Sequence, residues 1–348
     1  MRIRHVLLST LGAVLAAGLM ALSGSAAQAQ ADKVIVMKLS TATINDTQHE
    51  WLKRFGAMVE KDSGGRIKAE IYPASQLGSI PRQIEGVQFG SIQGWMGPPE
   101  FLVGVDERFE AMTAPGLFTD HDQVMRVMLD PETQKMVYGL GVAKGIVGVG
   151  FAPMSPSSIL VKKPIKQLSD LKGQKIRVLA SPFQLELIRR MDGSPIAMTL
   201  ADVLPGLQQG TIDGTLTSIV IYTTMHYYDT AKYVLETEQP YVNSIAMLSK
   251  RWLDTLPADL QKIIHDDAAK VTNEITPFVK EFVGAQDKIW ADKGGERIKL
   301  PKAEHDAMIA KPFDLRELLA RIKAVLRRLE PAGAPPAAGA DPAPREGG

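Results

Sequence analysis

Two stretches of this chain repeat each other 120 positions apart. Residues 84–94 read I-E-G-V-Q-F-G-S-I-Q-G, and residues 204–214 read L-P-G-L-Q-Q-G-T-I-D-G. Five positions are identical: Gly86/Gly206, Gln88/Gln208, Gly90/Gly210, Ile92/Ile212 and Gly94/Gly214. Each copy has the form of a helix end, a glycine stop, and a short buried strand that runs out at another glycine. One supersecondary unit used twice implies two similar lobes with a cleft between them.

The flanking residues extend the repeat. Val34–Ser40 alternates as a strand. A helix then starts at Thr47 with Glu50 completing a capping box, and carries Trp51, Phe55, Met58 and Val59 on one face. Gly64-Gly65 stops it, and Arg66–Tyr72 is a second strand. The same order recurs as a strand over Lys175–Ala180, a helix over Pro182–Met191, a strand over Ile196–Met198, and a helix capped by Thr199 with Asp202 at its third position. Strands and helices alternating at this length imply parallel sheets flanked by helices. Ligands in such folds bind beyond the carboxyl ends of the strands. That places Thr43, Trp95, Met96, Arg177 and residues 215–219 near the cleft. After Tyr241 the chain turns mainly helical, and a long helix passes through Val279, Phe282, Val283 and Trp290.

The chain ends are of another kind. Arg2 and Arg4 precede an apolar run over Val6–Leu22 and an Ala27-Gln28-Ala29 cleavage signature. This is the pattern of a signal peptide, residues 1–29, and the mature chain is expected to begin near Gln30 in the periplasm. Residues 330–348, rich in Pro, Ala and Gly, read as a disordered tail.

Net charge is +1 and cysteine is absent. The first gives no broad field for nucleic acid. The second removes disulfides, thiolate metal sites and cysteine nucleophiles. The six histidines are scattered with no ligand spacing, so no metal or cofactor is expected. No phosphate-binding loop or nucleophile elbow occurs. Asp62-Ser63-Gly64-Gly65 resembles a serine-protease nucleophile segment, but its glycines already serve as a helix stop and no partner pattern accompanies it.

Arg177 is the strongest candidate residue. It lies in K-I-R-V between apolar neighbours, where a guanidinium is costly unless paired. Its planar fork matches a carboxylate, either of a ligand or of the protein itself. Trp95 follows the first repeat, and is either a cleft wall or a core tryptophan. Phe151, Met154 and Tyr222 are candidates for the same wall or for the core.

These residues resemble the solute-binding proteins of tripartite ATP-independent periplasmic (TRAP) transporters, of the C4-dicarboxylate-binding type. The matching stretches are S-G-G-R-I-K-A-E-I-Y-P-A-S-Q-L-G at 63–78, P-G-L-F at 115–118, K-P-I-K-Q-L-S-D-L-K-G-Q-K-I-R-V at 163–178, L-Q-Q-G-T-I-D-G at 207–214 and L-P-A-D-L-Q-K-I-I at 256–264. The resemblance implies a two-lobe α/β binding-protein fold, each lobe a mostly parallel sheet flanked by helices, with a long bracing helix. Lobe I is expected over 30–154 plus about 243–282, and lobe II over 155–242 plus about 283–329. It also implies an organic anion held between the lobes, delivery to membrane permease subunits, and a carboxylate-clamping role for Arg177.

The chain departs from the family in two places. Thr217 stands where the family usually has a ligand-contacting asparagine, and Ser155–Ser158 occupies the region of a second basic residue. The resulting expectation is a monocarboxylate with an apolar or aromatic body, clamped by Arg177. Thr217 and Ser157 would donate hydrogen bonds, and Trp95, Met96, Phe151 and Tyr222 would shape the pocket. No catalysis is expected; a secreted enzyme and a free-standing solute sensor are the alternatives. Residues 310–330 resemble the C-terminal end of a response-regulator receiver domain with no receiver body before it, which suggests a junction near Ala310.

Overall fold

The structure, a computed structural model, describes residues 34–310 except 115, 116, 119 and 180. The signal-peptide reading, the C-terminal resemblance and the tail lie outside the described residues.

The first unit runs β1 (Ile35–Ser40), helix Thr47–Asp62, β2 (Ile67–Tyr72), helix Ile80–Phe89 and β3 (Gly94–Gly97). After the long strand β4 (Ile146–Val161), the second unit runs β5 (Lys175–Val178), helix Pro182–Arg190, β6 (Ser194–Ala197), helix Val203–Gln209 and β7 (Gly214–Ser218). Two further strands follow, β8 (Tyr233–Ser249) and the short β9 (Glu296–Ile298), which pairs with β8. The sheet order is β2-β1-β3-β8-β4-β7-β5-β6. Within each unit the strands are parallel, with β1 between β2 and β3, and β5 between β6 and β7.

The expected mostly parallel unit is present in each lobe, and the structure adds how the two are joined. The lobes share an antiparallel ribbon, β4 with β8, and this joins their sheets into one. These strands have 16 and 17 residues, about 50 Å of extended chain, and so reach through both lobes. Near β3 the ribbon uses Ile245–Leu248, and near β7 it uses Ser157–Val161. The register breaks between these two regions, around Pro153 and Pro156. Proline has no N–H to give to the ladder, so the pairing is weakest where the chain crosses between lobes.

The sequence repeat is a structural repeat. Gly90 and Gly210 both end their helices in the left-handed region, with φ of 84° and 75°. The N–H of Ile92 donates to Gly86 O at 3.1 Å, and that of Ile212 donates to Gly206 O at 3.3 Å. Even the unlike pair Gln93/Asp213 does one job. Gln93 Oε1 accepts from Lys38 N–H at 2.9 Å, and Asp213 Oδ2 accepts from Lys175 N–H at 2.8 Å. In the resulting registers Ser40 pairs with Trp95, and Arg177 pairs with Thr215.

Two helix starts differ from expectation. Asp46 caps the first helix, its Oδ1 accepting from His49 N–H at 3.0 Å. Its short carboxylate reaches the free N–H of the first turn one residue earlier than Thr47 could. The Thr199 hydroxyl donates to the Asp202 carboxylate at 2.7 Å and caps no backbone N–H.

Helix Ala258–Glu274 covers the first lobe: Leu260, Ile264 and Ala268 pack with Leu39, Trp51 and Phe55. Helix Thr276–Asp292 then braces both lobes. Val279 lies in that first core, while Trp290 packs against Tyr222 and Tyr228 at centroid distances of 6.0 and 6.3 Å.

The two glycines of the second repeat should respond differently to alanine. At Gly210 an added Cβ meets nothing within 4 Å, leaving only the left-handed backbone cost of about 1–2 kcal/mol. At Gly214 it would lie 2.4 Å from Leu160 O, a clash with backbone expected to cost about 3 kcal/mol. Urea unfolding of the two variants measures the difference, and equal losses would contradict this account.

Candidate functional site

The ends of β1, β3, β5 and β7 converge on a partly open cleft between the lobes. Ala42, Thr43, Gln48, Trp95 and Met96 come from the first unit. Met154 and Val242 come from the crossing ribbon, and Arg177, Leu179, Leu200, Thr217 and Ile221 from the second lobe. The lobes touch above it: Gln184 Nε2 donates to Glu100 Oε1 at 3.1 Å, and the Thr113 and Ser181 hydroxyls lie 3.4 Å apart. This is a closed arrangement.

Arg177 is 1% exposed. Its Nε donates to Met198 O at 2.9 Å. Among the described residues no carboxylate lies within ion-pair distance of it, and neither Nη group has a hydrogen-bond partner. The structural ion pair left open by the sequence is therefore not made. Burial pulls the guanidinium pKa down to about 10, against the opposing influence of Tyr227, Tyr222 and Glu100, so it remains a cation at neutral pH. A buried charge without a counter-ion carries a penalty of several kcal/mol that a bound anion would offset.

Trp95 lines the cleft on β3 and is 1% exposed. Gly97 allows this placement: a Cβ there would lie 2.3 Å from Trp95 Cζ2. Met96 and Thr217 also line the cavity. The three other candidates lie behind the wall. Ser157 Oγ donates to Pro240 O at 2.6 Å, fixing the crossing ribbon. Phe151 is fully buried in the core cluster that contains Trp95. The Tyr222 hydroxyl lies 2.6 Å from Ser158 O and 2.9 Å from Thr215 O, and accepts from Thr217 N–H at 3.1 Å. It ties β4 to β7, and its one proton is already given to these carbonyls and so is not free for an anionic ligand.

Sequence reasoning missed Gln48 and Tyr227. Gln48 is buried on the inward face of its helix, one turn before Trp51 and Leu52. Its Oε1 accepts from Thr41 Oγ1 at 2.8 Å, but its Nε2 meets only the weak acceptor Met154 Sδ, at 3.5 Å. The one available signal was an amide on an otherwise apolar helix face. Tyr227 is fully buried with an unpartnered hydroxyl, and burial pushes its pKa up to about 12. Nothing in its local sequence announces it. No group of three or more side chains able to hold a metal ion occurs among the described residues.

Comparison with known proteins agrees with this architecture. The family described as bacterial extracellular solute-binding protein, family 7, matches residues 40–315. A C4-dicarboxylate-binding periplasmic protein of Rhodobacter capsulatus is 27% identical over 252 residues, covering 71% of this chain and 74% of that protein. A TRAP periplasmic solute-binding protein of Anaerococcus prevotii, solved with glucuronate, superposes with a TM-score of 0.77 at 25% identity, covering 84% of this chain and 97% of the other. One from Shewanella oneidensis, solved with succinate, has a TM-score of 0.78 at 20% identity, covering 85% and 98%.

The position of Tyr222 makes it a support for the wall. Tyr222→Phe should lower stability by about 1–3 kcal/mol, because buried carbonyls lose their donor. Urea unfolding without ligand reads this directly; unchanged stability would remove the supporting role.

Proposed function

Because the chain belongs to family 7 of the bacterial extracellular solute-binding proteins, we propose that it is the periplasmic receptor of a TRAP-type transporter and closes its lobes on an organic monocarboxylate. The carrying observation is Arg177, a buried guanidinium with a free Nη fork in a cleft whose other described lining side chains are uncharged. Such a fork takes a carboxylate through two parallel charge-assisted hydrogen bonds.

The cleft's charge supports one carboxylate. Of the described lining side chains only Arg177 is ionisable, and Ile80, Phe101, Met154 and Val242 are apolar. A second carboxylate would be buried against these without a counter-charge, at a cost of several kcal/mol. Dicarboxylates are bound by relatives; in this reading the single cation limits this cleft to one carboxylate. In this reading Thr217 donates a hydrogen bond from the second lobe. Trp95 and Met96 shape the apolar body of the ligand, while Ser157, Phe151 and Tyr222 hold that wall from behind. The reading is capture and delivery to a membrane permease, without chemistry, after export and removal of residues 1–29.

A thermal-shift screen followed by calorimetry tests both parts. Aromatic or 2-oxo monoacids should raise Tm, and Arg177→Ala should weaken the hit at least ~100-fold, the order expected for stranding a buried charge. A hit that survives Arg177→Ala unchanged overturns the clamp. Tight binding of succinate or malate, with no binding of monoacids, overturns the monocarboxylate assignment.

A further inference from the structure

Glu100 is a buried carboxyl that the cleft does not use. It lies in the turn Pro99–Leu102 just after β3, is 2% exposed, and is not among the cavity-lining side chains. It meets the other lobe instead. Gln184, 1% exposed in the first turn of helix Pro182–Arg190, donates from Nε2 to Glu100 Oε1 at 3.1 Å. Gln184 cannot turn its amide around, because its Oε1 already accepts from Leu179 N–H at 2.9 Å. Glu100 Oε2 is buried with no partner. This contact therefore bridges the closed lobes through one oxygen and leaves the other dry.

Such a site suits a neutral carboxyl better than a carboxylate. An ionised carboxylate calls for donors at both oxygens, and here one oxygen has none. Burial pushes the Glu100 pKa up to about 7, while its own backbone N–H and, less strongly, Arg177 pull the other way. Of the other charged groups on the surrounding elements, Glu107 is exposed and Glu110 half-buried on the adjoining segment Glu107–Thr113, and both have interactions of their own. Arg82 and Glu85 are exposed, and Arg108 is ion-paired with Asp106. Glu186 is hydrogen-bonded to Arg190, and Glu238 on β8 is exposed.

We propose that Glu100 is a proton-operated latch: the closed cleft holds it neutral against Gln184, and loss of its proton favours separation of the lobes. When the lobes part, Glu100 meets water and regains ordinary carboxylate acidity. The closed form thus binds a proton that the open form has released. Closure is fully favoured below the ordinary carboxylate pKa, and the advantage is lost as pH rises through about 7. With those two values, the closed-to-open ratio falls roughly 30-fold from pH 5.5 to pH 8. The latch is a property of the chain itself and does not depend on which acid the cleft takes.

Small-angle X-ray scattering of the full, ligand-free protein reads the lobe separation. The wild type should be more compact at pH 5.5 than at pH 8. Glu100→Gln, whose amide oxygen can still accept from Gln184, should be compact at both. Gln184→Ala, which deletes the donor and leaves Arg177 in place, should be expanded at both. A wild type with the same profile at the two pH values overturns the latch. So does a Glu100→Gln protein that keeps the wild-type pH change, or a Gln184→Ala protein as compact as the wild type at pH 5.5. No ligand enters the measurement, so its failure would leave the carboxylate clamp untouched.

Discussion

The pairing of β4 with β8 is the constraint on which the rest of the molecule hangs. Each lobe contributes a three-stranded parallel unit, and each unit needs an edge to continue its ladder. The ribbon supplies both edges, β8 to β3 and β4 to β7. A ribbon this long cannot stay regular while it twists through two lobes. Its register shifts once at Gly148/Gly150 and twice more around Pro153 and Pro156, where prolines interrupt the hydrogen bonds. The joint between the lobes thus falls where the pairing is weakest, and the Ser157–Pro240 bond keeps the crossing segments together there.

Arg177 shows what this arrangement makes possible. It sits at the end of β5, opposite Thr215 of β7. The equivalent place in the first unit holds Ser40, opposite Trp95. One scaffold position carries a cation in one lobe and a small hydroxyl in the other. Closure then sets Arg177 against apolar walls from both sides. A charge in such surroundings is poorly solvated, and that unmet demand is what an anionic ligand satisfies.

Much of the scaffold was legible in the residues. The repeat at 84–94 and 204–214 carries its geometry in its own glycines, because a left-handed helix end and a close helix–strand approach both exclude a Cβ. The amphipathic spacing of Trp51, Phe55 and Val59 likewise set the buried face of the first helix. The site was legible in part. Arg177, Trp95, Met96 and Thr217 come together because each lies in a short strand, β5, β3 or β7, whose carboxyl end opens on the cleft. Ser157, Phe151 and Tyr222 lie close to these residues in sequence but turn to the ribbon or the core. Alternation along a strand gives the two faces and does not say which one meets the cleft.

The sequence by itself determined the repeated βαβ units, their glycine stops, and the buried cation at the end of β5, since these depend on local sterics and spacing. Only the tertiary structure decided that Arg177 has no carboxylate partner among the described residues, that Gln48 lines the cleft and Tyr227 lies within electrostatic reach of Arg177, and that Glu100 meets Gln184 across the lobes. Those facts concern residues from 50 to more than 100 positions apart. Their pairing is set by how the shared ribbon brings two lobes face to face, which no local pattern encodes.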